Sequence, residues 1–276
     1  MGSEPTDVFL AEPPLISVVT PSFNQASFLD RTIRSVLDQD YPQIEYFVLD
    51  GGSSDGSPEI IKSYEARLAS WRSEPDGGQA SAINEGWARS TGSILGWINS
   101  DDYYLPGTLA YVAAIFANRP DASLVYGRCE VVNDRGDHQG YIGHEYERLG
   151  MLHGVQAMPQ PSTFVRRSLY EEVGPIDESL FYSMDFDFFL RAAARTSPVF
   201  VRRPLAAFTV HSEAKTTAGR ARSRKETFEV ALRHATSAER PGIRARALRA
   251  QVFHLLPGAA KHWIDARRES PSSHRH

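Results

Sequence analysis

Apolar residues come in short runs along the first half of the chain, and each run stops at a polar, glycine-rich or proline-marked break. Leu15-Ile16-Ser17-Val18-Val19-Thr20 is rich in β-branched residues and ends at Pro21. Ile44 to Leu49 ends at Asp50-Gly51-Gly52-Ser53-Ser54-Asp55-Gly56, and Ser93 to Ile98 ends at Asn99-Ser100-Asp101-Asp102. Runs of this length and composition predict buried strands. Between them the period changes. Phe28, Leu29, Ile33, Val36 and Leu37 recur at helical spacing, with Asn24 or Ser27 as candidate caps. Ser57-Pro58 caps and opens a second helix carrying Ile60, Ile61, Tyr64 and Leu68. Strand, helix, strand, helix in this order predicts an α/β fold with a mainly parallel central sheet, doubly wound by helices.

The second half is less regular. Pro106 to Asn118 reads as an amphipathic helix, and Ser123–Tyr126 and Glu130–Asn133 as short strands. Asp134-Arg135-Gly136-Asp137 is a turn that links an antiparallel pair. His138 to Gln160, with His144, His153, Gln156 and Met158 scattered along it, has little periodicity; an acceptor-binding loop and a solvated connector both fit. Pro161–Arg167 predicts a further strand, Tyr182–Asp187 the opening of a helix running to about Ala194, and Val199–Val210 another strand. Beyond Ala218 the pattern is helical, with Leu248, Val252, Leu255 and Leu256 on one face, a break at Pro257-Gly258, and expected disorder from Ser270 to His276.

Composition narrows the class. The 276 residues are 41% hydrophobic and 23% charged, as in a soluble globular protein with a core that needs no covalent staples. The single cysteine, Cys129, excludes an internal disulfide and a cysteine-based zinc site. No run approaches a membrane span, and Met1 to Pro14 lacks a signal-peptide pattern, so a cytoplasmic location is expected. The net charge of −4 conceals an asymmetry: Ala214 to His276 holds 14 Lys+Arg against 5 Asp+Glu, and the residues before it 16 against 29. The C-terminal segment is a different kind of surface from the body.

Candidate chemistry sits where the strands end. Adjacent carboxylates at the end of a buried strand, Asp101 and Asp102, are costly to hold together without a cation, and Mg²⁺ or Mn²⁺ takes one or two such groups plus substrate phosphates. A turn with a helix cap is the other reading of the same residues. Asp50 closes the second strand, where a carboxylate can accept from a nucleoside, or can fold a Gly/Ser-rich loop around itself. Neither GxGxxG after the first strand nor GxxxxGK[ST] anywhere is present.

Six pieces in order carry a resemblance: Ser17 to Asn24, Asp50 to Gly56, Glu74-Pro75-Asp76-Gly77-Gly78-Gln79, Ala82-Ile83-Asn84-Glu85-Gly86, Asn99 to Asp102, and Met184 to Arg191. From about Ile16 to about Thr217 the chain resembles family 2 glycosyltransferases of the nucleotide-sugar-dependent GT-A fold. The resemblance implies a catalytic domain over residues 15–217, with donor binding in 15–105 and the acceptor side in 106–217. It follows an N-terminal tail of residues 1–14 and precedes a basic helical extension over 218–269 and a disordered tail over 270–276. It implies donor contacts from Thr20, Pro21, Ser22, Asn24, Asp50, Asp76, Gln79, Asn84, Asn99, Ser100 and Asp101, and a general base at Asp185. The DxD-type motif here begins with Asn99 in place of Asp, so metal binding rests on Asp101 with Asp102 as neighbour. Met184 stands where such enzymes usually carry Glu. His211, next to Lys215-Thr216-Thr217, is similar to a segment that lies over the diphosphate, implying metal or phosphate contact from His211 and phosphate contact from Lys215.

The expected reaction is transfer of a sugar from a nucleotide-diphosphate sugar to an acceptor hydroxyl. The leaving diphosphate is neutralised by a divalent cation, Mn²⁺ or Mg²⁺, and a carboxylate takes the acceptor proton. One base and no separate nucleophile implies inversion. A UDP-sugar is the favoured donor, with dTDP- or GDP-sugars as others, and the acceptor is a glycan or lipid-linked glycan in cell-surface polysaccharide or glycoconjugate synthesis; nucleic acid is not an expected partner. A sugar nucleotidyltransferase and a non-catalytic carbohydrate-binding module are the competing classes. The basic C-terminal helices, with Trp263, fit either peripheral contact with an anionic membrane or an arm packed on the body or on a second copy in a homodimer.

Overall fold

The computed structural model describes residues 13–211 and 219–255. Four parallel strands form one half of the sheet: β1 (Ile16–Ser22), β2 (Ile44–Asp50), β3 (Ser70–Ser73) and β4 (Ile94–Trp97), in the order β3-β2-β1-β4. The helices between them are α1 (Ala26–Leu37), α2 (Ser57–Ser63) and α3 (Gln79–Arg89). After the two-residue strand β5 (Tyr103–Tyr104) and α4 (Thr108–Asn118) come β6 (Leu124–Asn133), β7 (His138–Ile142), α5 (Arg148–Leu152), β8 (Thr163–Arg166), α6 (Arg167–Val173), α7 (Met184–Ala193) and β9 (Val199–Val210). The sheet continues β4-β8-β6-β9-β5, with β7 paired to β6. β8 runs antiparallel to both neighbours, and β6 and β9 are parallel to each other. Two C-terminal helices, α8 (Arg220–His234) and α9 (Arg240–Leu255), complete the described chain.

Alternation along the strands divides the core between the sheet's two faces. Val18 and Val48 point to the layer of α1, α2 and α4, among Leu29, Ile33, Val36, Ile61, Val112 and Phe116. Val19, Phe47 and Leu49 point the other way, to α3, α5, α6 and α7, among Ile83, Trp87, Phe188 and Phe189. Both faces being covered is why the central strands read as unbroken apolar runs. Gly86 lets α3 lie against β1, since a Cβ there would meet Val19 Cγ2 at 2.5 Å.

Several expectations change. The two short strands expected at 123–126 and 130–133 are one strand, β6, whose pairing with β9 slips around Gly127, Arg128 and Cys129. The stretch from His138 to Gln160 contains β7, antiparallel to β6 across the expected turn, and α5, whose start is capped by the Glu147 side chain. Neither Asn24 nor Ser27 caps α1: Gln25 holds that position, and Asn24 instead adopts a left-handed φ of 52°. Ser57 is the first residue of α2 rather than its cap, and Gly56, with φ 94°, precedes it. The C-terminal helices keep one of their expected arrangements, packed on the body. Val230, Ala231, Ala235 and Ile243 are buried in the core beneath α7, whereas Leu248 is 62% exposed. Trp263 and the terminal tail lie outside the described residues.

Candidate active site

One cleft, about 970 Å³, opens at the ends of the parallel strands. Its floor comes from Pro21 and Ser22 at the end of β1 and Gly51 and Gly52 after β2; Asp76 and Gln79 at the start of α3 and Asn99, Ser100 and Asp101 after β4 close one side. Across the opening stand Gln156, Gln160, Tyr182, Ser183 and Asp185, joined by Ser223 and Thr227 of α8. Expected residues from four separate stretches, Pro21 and Ser22, Asp76 and Gln79, Asn99 to Asp101, and Asp185, therefore meet in one space.

Asp50 is fully buried, and its carboxylate accepts from Gly52 N (3.1 Å), Ser53 N (2.8 Å), Ser53 Oγ (2.6 Å) and Ser73 Oγ (2.7 Å). It folds the Gly-Gly-Ser loop that floors the cleft and does not itself line it. Gly52 takes φ 85° in that loop, and a Cβ there would meet Pro75 N at 3.0 Å, so glycine is required on both counts. Asn24 ties the neighbouring loop to this one: its Oδ1 accepts from Ser54 N (3.0 Å), and Ser53 Oγ accepts from its own N (2.7 Å). Thr20 is buried against Tyr46 OH at 2.8 Å, away from the cleft. Asn84 uses its amide on Ile176 N and O and on Glu178, fastening α3 to the segment before α7. Asp76 lines the cleft while holding Gly78 N (2.7 Å) and Arg72 (3.1 Å).

An amide relay sets the strand-end motif. Gln79 Nε2 donates to Asn99 Oδ1 (2.7 Å), Asn99 Nδ2 to Gln160 Oε1 (2.9 Å), and Gln160 Nε2 to Trp97 O (2.8 Å). Gln160 lies between two prolines with no periodic signal, and sequence reasoning missed it. The two adjacent aspartates part company. Asp101 faces the cleft, with Oδ2 3.0 Å from Nε2 of His211, the residue just beyond β9. Asp102 is fully buried, and its Oδ1 accepts from Thr209 N at 2.9 Å. Burial, followed by the neighbouring Asp101 charge, pushes the Asp102 carboxyl well above the usual carboxylate range. His211 packs at a tilt against Phe28, with ring centroids 4.6 Å apart. Lys215 lies outside the described residues.

Asp185 occupies the first turn of α7, with Oδ1 accepting from Phe186 N (2.8 Å) and Oδ2 from Gln156 Nε2 (3.3 Å). Two residues on, Asp187 turns inward to Arg191 (2.8 Å) and His234 of α8 (2.8 Å). Burial alone would raise its pKa, but the hydrogen bonds from His234 and Arg191 outweigh it and hold the carboxyl below its ordinary value. The segment before α7 is clasped from α8: Glu226 accepts from the backbone N of Phe181 (3.0 Å), Tyr182 (2.5 Å) and Ser183 (2.6 Å), and Thr227 Oγ1 meets Ser183 Oγ at 2.9 Å.

Residues 17–174 match the sequence model of glycosyl transferase family 2. The chain belongs to that family. An uncharacterized glycosyltransferase of Mycobacterium tuberculosis is 36% identical over 200 residues, covering 71% of this chain and 75% of that protein. The putative teichuronic acid biosynthesis glycosyltransferase TuaG of Bacillus subtilis is 37% identical over 92 residues, 32% of this chain and 36% of the relative. Among solved structures, S. aureus TarS 1-349 in complex with UDP-GlcNAc superposes with a TM-score of 0.66 at 21% identity, over 85% of this chain and 71% of that one. The mannosyltransferase PcManGT from Pyrobaculum calidifontis, in complex with GDP-Man and Mn²⁺, gives 0.65 at 18%, over 93% and 81%. The protein is thus a glycosyltransferase with the GT-A fold.

Divalent metals are common in GT-A glycosyltransferases. In this glycosyltransferase, no group of three or more His, Cys, Asp or Glu side chains is gathered to hold a metal among the described residues. At the strand ends the Asp101 carboxylate, which lines the cleft, is in direct contact with the His211 imidazole. That donor pair fits a divalent cation that draws its remaining oxygens from a substrate diphosphate and water.

Proposed function

We propose that this glycosyltransferase transfers a sugar from a nucleotide-diphosphate sugar, a UDP-sugar foremost, to an acceptor hydroxyl with inversion at the anomeric carbon. The observation that carries the reading is that Asp101 and Asp185, far apart in the sequence, line one cleft. The nucleoside end is the floor of Pro21, Ser22, Gly51 and Gly52, beside Asp76. Asp50 and Asn24 serve donor binding by shaping that floor. Asn99 and Ser100 lie where a ribose and diphosphate would follow. Asp101 and His211 would hold a divalent cation, Mn²⁺ or Mg²⁺, which when bound neutralises charge on the departing diphosphate. Asp102 serves that pair from beneath, as a buried strut to β9. Lys215 is proposed to meet phosphate charge.

Asp185 accepts the proton of the attacking hydroxyl, because it is the cleft carboxylate left on the acceptor wall once Asp187 is committed to Arg191 and His234. Attack from the face opposite the leaving diphosphate needs no covalent intermediate. The names of the bacterial relatives support a place in cell-surface polysaccharide or glycoconjugate synthesis, with a glycan or lipid-linked glycan as acceptor. No helix among the described residues is long and apolar enough to cross a membrane. The basic C-terminal segment is proposed to supply peripheral contact with an anionic membrane, a role that falls to residues beyond Leu255. A panel of UDP-, GDP- and dTDP-sugars with Mn²⁺, assayed for nucleoside diphosphate release, tests the reading. Slow release from one donor is expected; pyrophosphate-dependent turnover would instead indicate a nucleotidyltransferase.

A further inference from the structure

Beside the apolar face that α1 buries on the sheet, Leu29, Ile33 and Val36, runs a polar stripe whose groups reach one stretch of backbone. Thr32 Oγ1, fully buried, donates to Asp102 O (2.6 Å) and lies 2.9 Å from Ser100 O. Arg31 Nη2 donates to Asp101 O (3.2 Å) and to Thr209 Oγ1 (2.9 Å). Ser35 Oγ accepts from Tyr104 N (3.0 Å), and Gln39 bridges Leu105 O (3.0 Å) and Leu109 N (3.2 Å). Spacings of three and four residues put these groups on one stripe of the helix. The stripe holds six backbone groups between Ser100 and Leu109.

Arg31 does more than its neighbours. Its Nη2 joins the Asp101 carbonyl to the end of β9, two residues before His211. Asp102 makes a second tie between the same two segments through Thr209 N. The guanidinium lies 4.3 Å from the Tyr103 ring centroid, which confines it from the other side. One turn earlier on the helix, Phe28 packs at a tilt against the His211 ring. The contact between Asp101 Oδ2 and His211 Nε2 spans 110 residues of sequence, and α1 touches both partners' supports.

We infer that Arg31 and Thr32 are positioning residues that hold Asp101 and His211 at the separation a shared divalent cation requires. The inference rests on the reading that this pair binds the metal–diphosphate. Neither residue faces the cleft, so neither is expected to touch substrate. Residues that orient metal ligands typically control affinity by about 10–100-fold when altered.

Calorimetric titration of the full chain with UDP, GDP and dTDP, each with and without Mn²⁺, tests this. Wild type is expected to bind one of the three more tightly with Mn²⁺. Thr32→Val, which keeps the side chain's shape and loses its donor, and Arg31→Lys, which keeps the cation beside Tyr103 and loses the fixed fork, are expected to lose about 10–100-fold of the Mn²⁺-supported affinity. Their metal-free affinity should equal that of wild type, and Thr32→Ser should restore the metal-supported part. Should Thr32→Val not fold, Arg31→Lys against Thr32→Ser decides. Variants with wild-type Mn²⁺ dependence, or with equal losses in the presence and absence of Mn²⁺, would overturn the inference while leaving the metal reading intact. A wild type indifferent to Mn²⁺ overturns the metal reading and the inference together.

Discussion

Two aspartates in sequence at a strand end would repel each other if both faced the same space. The fold separates them: Asp101 opens on the cleft, and Asp102 enters the core, where it accepts from Thr209 N and burial raises its pKa. Sequence alone marks both as candidates, because it shows the pair and not the direction each takes. The same holds for Asp50, whose four hydrogen-bond donors all come from Gly52, Ser53 and Ser73. Gln160 is the reverse case, a residue with no local signal that links Asn99 to the Trp97 carbonyl. Gln160→Ala leaves the buried Trp97 O and one Asn99 N–H without partners, at a cost of about 1–3 kcal/mol. Denaturant unfolding should show that loss together with weaker nucleotide binding. Unchanged stability would mean that the relay is redundant.

At the scale of elements, long apolar patterns were legible and short or polar ones were not. β9 falls at Val199–Val210, as its composition predicts, and α7 within a residue or two of its expected start and end. β3 escapes because its four residues, Ser-Trp-Arg-Ser, are all half-buried at the sheet's edge; β2 selects them by pairing, not by hydrophobicity. α3 buries mostly small residues, Ala80, Ala82 and Gly86, which weakens a periodic signal. The docking of α8 on α7 adds to buried Val230 and Ala231 polar contacts that no pattern announces, His234 with Asp187 among them. Because the folded Asp187 pKa is depressed, its contribution is present above the unfolded value, about 3.9, and is lost as pH falls below that through the folded value. Urea unfolding of wild type and Asp187→Asn should differ most above about pH 4, and the gap should narrow as pH falls below that. A gap that stays constant with pH would remove Asp187 from the acid response.

For the whole molecule, the C-terminal helices pack on the body, one of the arrangements that the sequence allows for them. The family match ends at residue 174, yet Ser223 and Thr227 line the cleft and Val230 and Ile243 are fully buried in the core. The net basic charge after Ala214 drew attention to solvent and membrane, and the buried residues among those charges are too few to outweigh it in a sequence reading. Burying a Val or Ile side chain is worth about 1.5–3 kcal/mol each, against a total stability of about 5–15 kcal/mol. A chain cut after Thr217 should therefore melt well below the full chain or aggregate, as thermal scans would show. An unchanged Tm would restore the extension as a separate unit.

The cleft joins walls from both halves of the chain, and the central claim is that two carboxylates lining it, Asp101 and Asp185, act on different parts of one reaction. With the donor found in the nucleotide-sugar panel, donor affinity and turnover in Asp101→Asn and Asp185→Asn test it most directly. Asp101→Asn is expected to lose Mn²⁺-dependent donor binding. Asp185→Asn should bind donor as wild type does and transfer sugar about 10²–10⁴-fold more slowly. Both variants failing at the same step, or an Asp185→Asn enzyme that keeps most of its turnover, would contradict the assignment.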